Sequence, residues 1–134
     1  LVLQHLGCHH ALVVHGEDGL DEVSIVAPTQ IWELKGGGIH SYTITPEDVG
    51  LSRAPADAIR GGTKEDNVVA MRRVLSGEKG PARDIVLLNA AAALVAGDAV
   101  QSLRQGVAMA AEAIDSGRAR EKLRALVELS QRLT

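Results

Sequence analysis

The spacing of apolar residues changes about a third of the way along this chain. Up to residue 45 they fall in short runs, at 11–14, 23–27, 30–34 and 39–45. Residues 11–14 are continuously apolar and bounded by turn residues, as expected of a buried strand. Residues 23–27 and 30–34 are strand-like and parted by Pro28 and Thr29. Gly36, Gly37 and Gly38 separate residues 30–34 from 39–45, which predicts a β-hairpin. In its second strand Ile39, Ser41, Thr43 and Thr45 share one face, with His40, Tyr42 and Ile44 on the other. Neither face is cleanly apolar, so the hairpin is expected to be partly exposed, or covered by a segment outside this sequence.

Beyond residue 45 the pattern turns helical. Thr45-Pro46-Glu47-Asp48 is a helix start that Gly50 stops after about one turn, and residues 51–62 read as loop. Thr63 and Asp66 make a capping box for a helix that runs to Ser76. Pro81 opens the next, which is apolar nearly all round and so expected to be buried on most sides. Gly97 ends it, and Asp98 is the expected cap of a further helix with the stripe Val100, Leu103, Val107, Ala110 and Ile114. Gly117 closes that one. The last helix, about 118–133, is expected to bury Leu123, Leu126, Val127 and Leu133, with Glu128 pairing to Arg132. A short helix at 1–6, ended by Gly7, precedes all of this. The expected fold is therefore α/β: a partial mixed sheet of about four strands in a strand-rich part, 8–45, then about four helices in a helix-rich part, 63–133. Residues 1–134 form one incomplete domain, because so small a sheet with a nearly all-apolar strand needs more strands and more cover. The absence of an initiator Met and the start inside a helix suggest a C-terminal piece of something longer.

Composition narrows the picture. The chain has 134 residues, 46% of them hydrophobic, and the core must be aliphatic because Trp32 and Tyr42 are the only large aromatics. A net charge of −3 argues against a broad nucleic-acid or membrane footprint. No apolar run is long enough to span a bilayer. Cys8 is the single cysteine, which excludes an intrachain disulfide and fits a reducing cytoplasm.

Chemistry concentrates at one place. Glu17, Asp18, Asp21 and Glu22 fall within six residues, directly after the apolar run at 11–14. Carboxylates this close repel one another unless a cation neutralises them, although a solvated acidic turn explains the same residues. Asp21 and Glu22 are the candidate metal ligands. Adjacent side chains diverge in a strand, so both can meet one ion only on a turn, which Gly19 favours. Mg2+ needs just one or two carboxylates when phosphate and water supply the rest, whereas a structural zinc site needs more ligands. His15 adjoins the same turn. His9 and His10 read as a solvated loop, Asn89 as a satisfied core polar group, and Cys8 as no catalytic thiol. Gly36–38 and Gly61–62 read as plain turns, because neither follows a strand and opens a helix. No catalytic nucleophile and no organic-cofactor motif is found.

The run ALVVHGEDGLDEVSIVAPT, the Pro46-Glu47-Asp48 turn, the Leu88-Asn89-Ala90-Ala91 helix and the Asp115-Ser116-Gly117 stop occur in order and together resemble the C-terminal part of the anthranilate phosphoribosyltransferase family. The resemblance covers essentially the whole chain. It implies the nucleoside phosphorylase/phosphoribosyltransferase-like α/β domain, a cytoplasmic enzyme of tryptophan biosynthesis, and a homodimer formed through a helical N-terminal domain. It implies transfer of phosphoribose from phosphoribosyl pyrophosphate to anthranilate, with magnesium held by Asp21 and Glu22. The family's glycine-rich phosphate loop and anthranilate contacts find no match in this sequence, so the chain alone is expected to be inactive. A pyrimidine nucleoside phosphorylase-like enzyme and a nucleic-acid-binding paralogue remain as alternatives within the same fold.

Overall fold

The computed structural model describes residues 1–133. A short helix α1 (Val2–His5) leads into strand β1 (His10–Gly16), which pairs antiparallel with β2 (Thr29–Lys35), which in turn pairs antiparallel with β3 (Gly38–Ile44). Gly36 and Gly37 both have positive φ, +58° and +79°, as a two-residue hairpin turn matched to strand twist requires. The fold is α/β as expected, but its sheet has three strands and is antiparallel throughout the described residues.

Residues 23–27 are the strand-like run that does not become a strand. Their backbone groups are claimed elsewhere: the Val23 N–H donates to Asn89 Oδ1, and the Ser24 N–H to Thr29 Oγ1. Ser24 Oγ accepts from the Val26 and Ala27 N–H groups, a local side-chain alternative to a ladder. The side chains of Val23 and Ile25 are nonetheless fully buried.

After two 3-10 turns, Pro46–Val49 and Ala56–Ile59, four helices follow: α2 (Lys64–Leu75), α3 (Pro81–Ala96), α4 (Leu103–Asp115) and α5 (Arg118–Arg132). The Thr63–Asp66 capping box opens α2 as expected. α3 is the centre of the molecule. Leu88, Ala91, Ala92 and Val95 pack with Val23, Ile25, Ile31 and Ile44, while Leu87 joins Val74, Ala110 and Ile114 in a second cluster. α3 and α4 come so close that a Cβ on Gly106 would lie 2.7 Å from the Ala91 Cα. Their ends are tied by Arg83, whose buried guanidinium donates to both carboxylate oxygens of Asp115 at 2.7 and 3.0 Å and to the Gly77 carbonyl. That pairing holds the Asp115 carboxyl below its ordinary value.

Three expectations are corrected. Asp98 does not cap α4; Ser102 does, accepting from the Gln105 N–H. Asp98 instead sits in the left-handed region at φ 53° and accepts from His10 Nδ1 at 2.9 Å and Lys35 Nζ at 3.2 Å. His10 is accordingly no solvated loop residue: its ring is 5% exposed at the start of β1, with Nε2 3.0 Å from Glu33 Oε1. Tyr42 donates to the other oxygen of Glu33, and burial, then that carboxylate, push its phenol up to about 12. Finally, α5 fully buries no side chain: Ala119 packs against the second cluster and Leu123 is half-buried, but the rest of the expected face is open. Leu126 is 61% exposed and Val127 45%, and Glu128 is nearest Arg124, at 3.7 Å, rather than Arg132.

The sheet's two faces differ. Leu12, Val14, Ile31, Tyr42 and Ile44 meet the main core. The opposite face carries Val13 paired with Trp32, beside Ala11, Leu34 and Ile39. Among the described residues Leu1 to Leu3 border it, and Val13, Trp32 and Ile39 stay exposed.

Candidate metal site

The acidic residues lie on the loop that joins β1 to β2, at one end of the sheet, with the glycine hairpin turn at the other. The loop starts as a tight turn. The Gly19 N–H donates to the Gly16 carbonyl and the Gly16 N–H to the Leu20 carbonyl, both at 2.9 Å, and Gly19 takes φ +92°. Asp21 and Glu22 follow this turn directly, on the bend that leads to Val23.

Four carboxylates divide by their hydrogen bonds. Asp18 is bonded within its own loop: its Oδ2 accepts from Ser24 Oγ at 2.7 Å, and its Oδ1 from the Leu20 N–H at 3.4 Å. A Cβ on Gly16 would lie 2.5 Å from Asp18 Oδ1, so the glycine makes room for that carboxylate. Glu17, Asp18, Asp21 and Glu22 are all exposed, so what distinguishes Asp18 is its bonds and not its burial. Asp21 and Glu22 therefore stand adjacent at the rim, free of the internal bonds that occupy Asp18. Two hard, exposed carboxylates fit Mg2+ that draws its remaining oxygens from phosphate and water. Among the described residues no group of three or more His, Cys, Asp and Glu is arranged to hold a metal, so the pair is not part of a full protein cage.

The loop is framed from below by α3. Asn89 spans the Val23 peptide groups, accepting from the Val23 N–H at 2.8 Å and donating Nδ2 to the Val23 carbonyl at 2.9 Å and the Ile85 carbonyl at 3.0 Å. It is the satisfied core amide that the sequence leads one to expect. Its service to the acidic loop, 66 residues away, has no local signal. At the loop's far end the Glu17 N–H donates to the Pro28 carbonyl, which closes it onto β2.

Other candidates fall outside this site. His15 is exposed next to Gly16, beside the acidic turn. Cys8 donates to the His10 carbonyl at 3.3 Å. Gly61 and Gly62 precede α2, where the Asn67 side chain accepts from the Gly62 N–H. What sequence reasoning missed is Asp18, Ser24 and Thr29 acting as the loop's internal brace. An Asp and a Ser six apart around a Gly turn were the available signal.

Comparison with known proteins gives the family of the chain. The a/b domain model of the glycosyl transferase family matches residues 1–120. The anthranilate phosphoribosyltransferase of Symbiobacterium thermophilum is 60% identical over 132 residues, 98% of this chain and 39% of the relative. That of Thermomicrobium roseum is 54% identical over 135 residues, again 98% and 39%. The crystal structure of the Thermus thermophilus enzyme superposes with a TM-score of 0.84 at 44% identity, covering 94% of this chain and 37% of the other. The Saccharomyces cerevisiae enzyme in complex with PRPP and Mg superposes with a TM-score of 0.76 at 28% identity, covering 86% and 33%. This chain thus spans 39% of the length of these two curated relatives. With its fold and nearly all of its length accounted for by that match, the chain belongs to the glycosyl transferase family, as part of its a/b domain.

Proposed function

We propose that this chain is the C-terminal part of an anthranilate phosphoribosyltransferase, a magnesium-dependent enzyme of tryptophan biosynthesis that joins phosphoribose to anthranilate. The observation that carries the reading is the match of 98% of the chain, at 60% identity, to an enzyme of that name. A solved relative binds PRPP and Mg, and another solved form of it binds 4-fluoroanthranilate. The substrates proposed here are accordingly phosphoribosyl pyrophosphate and anthranilate.

Breaking the bond between ribose and pyrophosphate builds positive charge on the sugar and negative charge on the leaving group. A bound Mg2+ supplies charge neutralisation to the departing pyrophosphate. Asp21 and Glu22 would hold that ion through their exposed carboxylates, and the brace of Asp18, Ser24 and Thr29 keeps the turn that presents them. The displacement uses the anthranilate amine as its nucleophile, so the chain need supply none.

Residues 1–134 are proposed to be an incomplete α/β domain, one wall of an active site whose phosphate loop and anthranilate contacts lie elsewhere in the enzyme. The 134 residues alone would be inactive, and the full enzyme a cytoplasmic homodimer that requires neither nucleic acid nor membrane. Among the described residues no helix is long and apolar enough to cross a membrane.

The test is a magnesium titration of the full-length enzyme with both substrates. Asp21→Asn combined with Glu22→Gln should cost several kcal/mol of transition-state stabilisation, seen in kcat/KM at limiting magnesium. An unchanged titration curve would refute the metal assignment. Turnover by the isolated 134 residues would refute their incompleteness.

A further inference from the structure

The acidic loop is built from groups that never reach its rim. Loops that bind ions commonly owe their shape to the ion, because like charges otherwise push them open. Here the shape has an independent source. Ser24 is buried, and its hydroxyl makes three bonds: it donates to Asp18 Oδ2 at 2.7 Å and accepts from the Val26 and Ala27 N–H groups at 2.9 and 3.1 Å. One residue earlier, the Val23 peptide groups are held by both ends of the Asn89 amide. The Ile85 carbonyl takes the other Nδ2 hydrogen and fixes the rotamer of that amide. Val23 and Leu88, the neighbours of these contacts in the chain, are fully buried. The peptide that follows Glu22 is therefore anchored to the central helix by protein groups.

We infer that Asn89 and Ser24 are positioning residues for the Asp21–Glu22 pair, holding the loop in its ion-binding shape in the absence of the ion. The inference rests on the metal reading above and deepens it. Asn89 acts through the Val23 backbone and Ser24 through Asp18, so neither touches substrate. Groups that orient metal ligands from behind typically change affinity or activity about 10–100-fold when removed. The effect should fall on the metal step and leave the anthranilate step alone.

Three measurements on the full-length enzyme separate the outcomes. In Asn89→Ala and in Ser24→Ala, the magnesium concentration for half-maximal activity should rise roughly tenfold or more, with KM for anthranilate unchanged. Binding of Mn2+ in the presence of pyrophosphate, read by electron paramagnetic resonance, should weaken in parallel. A fall in kcat or melting temperature with unchanged Mn2+ affinity would mean a merely structural role and would overturn the inference. Asp21→Asn with Glu22→Gln is run alongside. If that pair also leaves Mn2+ affinity unchanged, the metal reading itself fails; if it alone weakens binding, only the positioning role fails. Should neither single variant fold, hydrogen exchange in the unsubstituted enzyme decides. The Val23, Val26 and Ala27 amides should exchange as slowly without metal and pyrophosphate as with them. Fast exchange that slows only on their addition would show that the ion shapes the loop, against the inference.

Discussion

Replacing Gly106 by alanine should force the two central helices apart. The added methyl would sit 2.7 Å from both the Cα and the Cβ of Ala91 and 3.0 Å from its carbonyl oxygen, where ordinary contacts begin near 3.4 Å. Two of those three atoms are backbone, so no side-chain rotation relieves the overlap. Overpacking of this kind costs about 1–3 kcal/mol. Against it, alanine is a better helix former than glycine by about 0.5–1 kcal/mol. The overlap is with the body of a helix, which favours the upper part of the first range, and the net loss comes to about 1–2 kcal/mol. For a chain of this length each kcal/mol shifts the melting temperature by roughly 3–5 °C, so the expected drop is roughly 3–10 °C. Thermal unfolding followed by far-ultraviolet circular dichroism measures it. Ala108→Gly, on the exposed side of the same helix, calibrates the propensity term alone. A Gly106→Ala variant that melts at or above the unsubstituted chain would show that α3 and α4 do not make this close crossing.

Two further outcomes follow from the corrected parts of the fold. Hydrogen bonds from His10, then Lys35, hold the Asp98 carboxyl below its ordinary value. A depressed folded-state value means the contribution is complete above the unfolded-state pKa of about 3.9 and is lost as pH falls through the lower folded-state value. Asp98→Asn should therefore melt lower than the parent at neutral pH, with the gap closing in strong acid; a gap that is constant with pH refutes the interaction. Leu126→Lys on α5 should change stability by less than about 0.5 kcal/mol in urea denaturation, since the side chain is already exposed. A loss above about 1 kcal/mol would mean the helix is packed after all.

How much of this was legible in the sequence depends on how local each cause is. The start of α2 lies in the Thr63–Asp66 box, that of α3 in Pro81, and the hairpin in its glycines, all within a few residues of the structure they specify. The acidic turn was legible for the same reason. Residues 23–27 misled because β-rich composition does not reveal that Asn89 and Thr29 take the backbone bonds a strand would use. Asp98 misled because its carboxylate is claimed by His10 and Lys35, 88 and 63 residues away, which outweighs its local aptitude as a cap. In α5 the pattern correctly marks an apolar face, but a pattern carries no information on whether anything lies against it. Where chain-distant partners decide, periodicity and capping rules have nothing to read.

Trp32 is the only tryptophan in the chain, and it stands 43% exposed on the outer face of the sheet, across from Val13. Any intrinsic tryptophan emission from these residues thus comes from one spot on that face, at β2. The indole is wet there, so its emission should lie towards the red, and anything apolar that comes to rest on that face would shift it to the blue. The molecule carries its own optical reporter for the company its sheet keeps, needing neither label nor substitution.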